Sequence, residues 1–222
     1  MTDWKVMKAL LLDVDGTLID SFPGVRDSLF MALDAVSWPH PAPDVLHRLP
    51  GPPLEDTLAE YGMDAALVTR TMEVYRAEYD ARGWANARLF PGWLETLQAW
   101  KEQGYFLHTA TSKGEAVAHR MLEHLGATRY LDSVGGADAA IGRRTKADVI
   151  AWVFEREGLD PARDEILMVG DRLHDTQGAA QFGVPTALVG WGHGSRKEWD
   201  AAAYFAPDMP TLRAVVDAHF NP

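Results

Sequence analysis

The chain has 222 residues, 47% hydrophobic and 24% charged, with a net charge of −11, a size that suits one large domain or a core with a smaller insertion. The acidity excludes a nucleic-acid polymer, which needs clustered Lys and Arg, and the absence of cysteine excludes disulfide and thiolate chemistry. No apolar stretch approaches the ~20 residues of a membrane span, and residues 1–5 lack the basic start of a signal peptide, so a cytoplasmic location is expected.

Residues 9–17 read Ala-Leu-Leu-Leu-Asp-Val-Asp-Gly-Thr, an apolar strand ending in two aspartates two positions apart. Residues i and i+2 of a strand point to the same side, so Asp13 and Asp15 converge on one small volume. Two carboxylates ~4 Å apart repel by roughly 4 kcal/mol at an effective dielectric of ~20, which calls for a cation between them or a shared proton. Asp-Gly alone marks only a turn, with Gly16 freeing the backbone. The strand, both acids, the glycine and Thr17 together point to a site.

Residues 22–82 carry helical patterns and no convincing strand. Val25, Leu29, Leu33 and Val36 recur at intervals of three and four, and Leu67, Thr71, Val74 and Tyr75 form a second stripe. Proline-rich breaks at 38–43 and 50–53, and Arg82-Gly83, bound these helices. From residue 90 the pattern alternates. A helix follows Phe90-Pro91-Gly92, then come strands at 105–110, 131–135, 166–170 and 185–189, with helices at 115–125, 146–157 and 176–182 between them. The densest turn-rich stretch is 189–195. This order predicts an α/β fold, a doubly wound, mostly parallel sheet of Rossmann type with helices on both faces. The core is assigned to residues 1–20 and 84–222, and an inserted all-helical cap domain to residues 21–83.

In such a sheet, ligands bind beyond the carboxyl ends of the strands. Asp13 and Asp15 follow the first strand, and Thr111, Ser112 and Lys113 the second. Lys146 opens the helix after the third, and Gly170-Asp171 ends the fourth, with Asp175 four residues on. Taken singly, Thr111 and Asp175 read as helix caps and Lys146 as a solvated first-turn residue. A cation is electrostatically unhelpful at a helix N-terminus, which turns Lys146 toward function. Arg172, His174 and Lys113 read as loop or surface residues.

In order, Asp13-Val-Asp15-Gly-Thr17, Thr111-Ser-Lys, Lys146 and Gly170-Asp171-xxx-Asp175 resemble the four motifs of the haloacid-dehalogenase-like hydrolase superfamily. Asp20-Ser21-Phe22-Pro23-Gly24, Gly51-Pro52-Pro53-Leu54 and Phe90-Pro91-Gly92 resemble the cap entry, cap loop and cap exit of its phosphoglycolate-phosphatase-like branch. The third motif departs from that branch. Gly142-Arg143-Arg144-Thr145-Lys146-Ala147-Asp148 stands where many members have Lys-Pro-x-Pro, and resembles a 5′-nucleotidase-like subgroup.

The resemblance implies a magnesium-dependent phosphatase in which Asp13 attacks phosphorus and forms an aspartyl-phosphate. Asp15 would protonate the leaving oxygen and then activate water. Thr111, the N–H of Ser112 and Lys146 would hold the phosphoryl oxygens. Magnesium would take Asp13, the backbone carbonyl of Asp15, Asp171 and, directly or through water, Asp175. Gly16, Arg48, Gly51, Pro52 and Arg143 complete the candidate substrate-binding set, the two arginines being either substrate contacts or surface residues. An acid at Asp15 separates the chain from dehalogenating relatives, whose halide needs no proton. Residues 22–82 contain no lysine for an imine-forming phosphonate route. A sugar phosphomutase, a pyrophosphatase and a non-catalytic binding or regulatory module remain alternatives. The expected partner is a small phosphorylated metabolite, and the expected assembly a monomer or homodimer.

Overall fold

A computed structural model describes residues 6–42, 46 and 54–221. The chain divides into two compact units, Met1–Asp20 with Leu89–Pro222, and Ser21–Arg88. A six-stranded sheet forms the centre of the first unit: β1 (Lys8–Leu12), β2 (Phe106–Gly114), β3 (Ser133–Ala137), β4 (Glu165–Gly170), β5 (Thr186–Val189) and β6 (Tyr204–Ala206). All pair in parallel, in the order 3-2-1-4-5-6. Helices α1 (Phe22–Ala35), α2 (Leu54–Glu60) and α3 (Ala65–Ala81) belong to the second unit. The first unit carries α4 (Trp93–Glu102), α5 (Glu115–His124), α6 (Lys146–Glu157), α7 (Leu173–Ala180), α8 (Arg196–Ala201) and α9 (Met209–Phe220).

The central strands β1 and β4 are apolar almost throughout and buried on both faces, as a covered parallel sheet requires. Alternation sends Ala9 and Leu11 into one cluster with Val149, Ile150, Val153 and Phe154 of α6 and Ala179 of α7. Strand order reverses at β1, between β2 and β4, and the crevice at such a point is where open α/β sheets bind ligands. The Asp13 N–H donates to the Val169 carbonyl at 2.9 Å, so the β1–β4 ladder runs to the edge of that crevice.

Three boundaries differ from the sequence expectation. Strand β2 runs on to Gly114 instead of ending at Ala110, with a register shift against β3 between those residues. Helix α7 starts at Leu173 rather than Thr176, because Asp175 in its first turn reaches back to accept from the N–H groups of the N-cap Arg172 and of Asp171 before it. Strand β6 extends the sheet past β5; three residues are too few to show a period.

In the second unit, Leu29 and Leu33 of α1 pack with Leu58, Met63 and Met72. Asp64 caps α3, its Oδ1 accepting from the Leu67 N–H at 2.8 Å. The unit extends to Arg88 rather than to Gly83, because Gly83 is packed against α1: a Cβ on Gly24 would collide with the Gly83 carbonyl. Among the described residues, no helix is long and apolar enough to cross a membrane.

Candidate active site

After β1 the chain makes a tight turn in which the Val14 carbonyl accepts from the N–H groups of Thr17, Leu18 and Ile19. Gly16 sits there at φ 78°, in the left-handed region, and a Cβ on it would strike Asp171 Oδ2. Two indoles hold the turn. Trp93 Nε1 and Trp191 Nε1 both donate to the Thr17 carbonyl, at 2.8 and 3.0 Å.

Lys146 is the first residue of α6, yet it is not a solvated one. Thr145 and Asp148 close a capping box: the Asp148 N–H donates to Thr145 Oγ1 at 3.2 Å, and Asp148 Oδ2 accepts from the Thr145 N–H at 2.8 Å. With the helix end satisfied by these neighbours, the Lys146 side chain turns inward. Its Nζ donates to Asp13 Oδ1 and to the Ala110 carbonyl, both at 2.7 Å, and forms an ion pair with Asp175 Oδ1 at 2.8 Å. Gly178 makes the room: a Cβ there would lie 2.6 Å from Lys146 Cγ.

Asp171 follows directly on β4, and Asp175 lies in the first turn of α7. Asp175 Oδ2 accepts from the N–H groups of Asp171 and Arg172, both at 3.0 Å. Asp171 Oδ2 accepts from the His193 N–H at 2.7 Å. Carboxylate oxygens of Asp13, Asp171 and Asp175 all lie within 4.8 Å of one another, in a buried cluster able to hold a metal ion. Burial pushes the Asp171 carboxyl up to about 8, with Asp13 and Asp175 adding to the rise. Burial also lifts Asp13, to about 6, against the pull of the Lys146 ammonium. For Lys146, burial opposes the charge, but the facing Asp13 and Asp175 outweigh it and hold the pKa above the usual lysine value. Asp13 and Asp175 share Lys146, and with Asp171 beside them the cluster is short of positive charge.

Asp15 is more open, and Lys113 meets it: Nζ lies 3.0 Å from Asp15 Oδ2. Lys113 therefore departs from its surface reading. The continuation of β2 beyond Ala110 carries it to the crevice, with its side chain only 13% exposed. Thr111 is buried in the same stretch of strand, its Oγ1 accepting from the Lys113 N–H at 3.2 Å. It does not cap α5, whose N-cap is Gly114 without a side-chain bond. Ser112 is exposed beside it.

Arg143 is buried, its guanidinium 4.0 Å above the Trp152 ring and its Nη2 donating to Glu115 Oε2 at 2.6 Å. That is a bracing role between α6 and α5, different from a substrate contact. His174 is exposed, and Arg172 Nε donates to Glu198 Oε1 at 3.0 Å. Glu198 also accepts from the N–H groups of Leu173 at 3.0 Å and Ser195 at 2.7 Å. Burial works against its charge, yet these partners bring Glu198 down to about 2. Arg48, Gly51 and Pro52 lie outside the described residues.

Sequence reading did not anticipate Lys113, Gly178, the Trp93–Trp191 clamp or the His193 N–H. The signal for the last two is the turn-rich stretch at 189–195, whose Trp191-Gly192-His193-Gly194-Ser195 also resembles the phosphoglycolate-phosphatase-like branch; it folds across the mouth of the Gly16 turn, where a Cβ on Gly192 would meet Asp171 and the Gly16 carbonyl.

The family model of the haloacid dehalogenase-like hydrolases matches residues 10–189. The chain is 38% identical over 185 residues to the tyrosine-protein kinase PtkA of Mycobacterium tuberculosis, covering 83% of this chain but 62% of that relative. It is 33% identical over 213 residues to a 5′-nucleotidase of Pseudomonas aeruginosa, covering 95% and 96% of the two chains. The solved structure of a haloacid dehalogenase-like hydrolase from Streptococcus pneumoniae superposes with a TM-score of 0.85 at 26% identity, over 97% of this chain and 99% of that one. With Asp13, Asp15, Lys146, Asp171 and Asp175 gathered at the switch point of a 3-2-1-4-5-6 sheet, the chain belongs to the haloacid dehalogenase-like hydrolase family.

Proposed function

We propose that this protein is a phosphatase that hydrolyses a small phosphomonoester through an aspartyl-phosphate on Asp13. The observation that supports this most directly is the Asp13 carboxylate at the crevice, 2.7 Å from the buried Lys146 ammonium and beside two further buried acids. An Asp13 oxygen attacks phosphorus as the bond to the leaving oxygen breaks. Asp15 gives its proton to that oxygen. It then takes a proton from water, which attacks phosphorus, breaks the bond to Asp13 and releases inorganic phosphate. Lys146 keeps positive charge at Asp13 while an anionic phosphoryl group approaches, and Thr111 lines the same crevice. Asp13, Asp171 and Asp175 offer the hard oxygens that suit magnesium, which would supply positive charge to offset carboxylate–phosphate repulsion.

The test is release of nitrophenol and inorganic phosphate from p-nitrophenyl phosphate, with magnesium and with EDTA. Equal release of both products, abolished by EDTA, is expected; absence of turnover, or turnover indifferent to EDTA, refutes the reading. The identity to a protein named as a tyrosine kinase favours a second reading, in which a hydroxyl replaces water as the acceptor. Nitrophenol in excess of phosphate when an alcohol is added would indicate that transfer.

Metal binding also has a stability signature. With the Asp171 carboxyl at about 8 in the metal-free fold and near 3.8 unfolded, the folded state holds a proton that the unfolded chain lacks between those values. Metal-free stability therefore falls as pH rises from about 4 toward 8. Magnesium bound by Asp171 would take the place of that proton. Its stabilisation, roughly 2.7 kcal/mol at a hundredfold excess over Kd, should raise Tm more at pH 8 than at pH 5.5. Thermal melts at the two pH values decide; a larger shift at pH 5.5 would count against Asp171 as a ligand.

A further inference from the structure

We propose that Lys113 is the positioning residue for Asp15, aiming its carboxyl group for proton transfer; the inference rests on the phosphatase reading above. Each strand-end carboxylate has its own lysine. Lys146 holds Asp13 in the buried cluster, and Lys113 Nζ stands 3.0 Å from Asp15 Oδ2 at the more open edge. The Asp15 side chain is 35% exposed, so packing leaves it rotamer freedom, and an ion pair with a nearly buried ammonium limits that freedom. Water reaching the carboxylate side screens the pair, which lets it yield when substrate enters.

Lys113 is itself firmly held. Its N–H donates to Thr111 Oγ1 at 3.2 Å. Strand β3 lies against its backbone so closely that a Cβ on Gly136 would come within 2.8 Å of the Lys113 carbonyl and 2.6 Å of Glu115 Cα. Glu115, two residues on, accepts from the Gly136 N–H at 3.4 Å and from Arg143 Nη2 at 2.6 Å, while Arg143 stacks on Trp152 of α6. The strand segment carrying Lys113 and the helix carrying Lys146 are thus braced through one arginine. In the first half-reaction the Asp15 proton passes to the leaving oxygen as that oxygen parts from phosphorus and the Asp13–phosphorus bond forms. Asp15 is left as a carboxylate facing Lys113.

The experiment compares wild type, Lys113→Met and Lys113→Arg on p-nitrophenyl phosphate, whose leaving group departs without a proton, and on glycerol phosphate, whose alkoxide needs one. For Lys113→Met, kcat/KM should fall about tenfold or more with the alkyl ester and less than about threefold with the aryl ester. Lys113→Arg should restore most of the loss, and competitive inhibition by inorganic phosphate should be unchanged. In an Asp15→Asn background, Lys113→Met should add no further loss, because the two residues act as one unit. Equal losses on both esters with weaker phosphate inhibition would overturn the inference and make Lys113 a phosphate contact. So would normal wild-type hydrolysis left untouched by Lys113→Met, which overturns this inference alone. A wild type that hydrolyses neither ester overturns the phosphatase reading and this inference with it.

Discussion

Asp13→Asn should abolish turnover while making the metal-free protein more stable. Loss of the attacking oxygen removes the covalent route, and a fall of roughly 10⁵-fold or more in kcat is expected, as when other nucleophilic enzymes lose theirs. The stability sign follows from the site. In the fold, burial lifts the Asp13 carboxyl from 3.8 to about 6, so its ionised form costs stability that is lost progressively as pH rises across that interval. The amide carries no charge, and its oxygen can still accept from Lys146. Tm of the metal-free variant should therefore exceed that of wild type at pH 8 by a few degrees, at about 2–4 °C per kcal/mol for a chain of this size. The two should converge near pH 4. Calorimetry at both pH values checks this; a variant that melts lower at pH 8 would show that the carboxylate is a net stabiliser.

Lys146→Met should also inactivate the protein but with the opposite effect on stability. Among the described residues the lysine is the one cation contacting both Asp13 and Asp175, at 2.7 and 2.8 Å, and methionine fills its space without the charge. Removing one partner from a buried ion pair costs about 3–5 kcal/mol, because the remaining charges stay uncompensated. At pH 8 that amounts to a drop in Tm on the order of 10 °C. Near pH 5 the loss should shrink, since the orphaned carboxyls can take up protons. Loss of positive charge at the reacting group should lower kcat/KM by about 10³-fold. Magnesium should recover part of the Tm without recovering the rate. A Lys146→Met protein as stable as wild type at pH 8 would refute this account of the cluster.

Much of this site can be read along the chain because its residues sit where strands end. Apolar runs of strand length followed by Asp13-Val-Asp15, Thr111-Ser-Lys and Gly170-Asp171 locate the crevice, since a parallel sheet gathers the ends of its strands at one edge. Lys146 stood out because a lysine in a first helical turn runs against the helix dipole. Local pattern misplaced Thr111, which resembles an N-cap yet lies within β2. It also read Lys113 as a surface residue and left Arg143 undecided, because the same lysine or arginine is surface or interior depending on what packs beside it. Arg143 became a brace once Trp152 and Glu115 flanked it.

Periodicities of two and 3.6 residues are local, and they suffice for the α/β class, the inserted helical segment and the pair of aspartates facing one way. Which cation answers which carboxylate is not local. Lys146 lies 133 positions from Asp13, and Trp191 lies 174 from the Thr17 carbonyl that it holds. Those meetings depend on strand order, on the shifted register that carries Lys113 past Ala110, and on glycines at 16, 178 and 192 that leave space for the acids and the lysine. The sequence placed two negative charges together. Only the packed structure divided them, giving Asp13 a buried lysine among acids short of positive charge and Asp15 a more open lysine of its own.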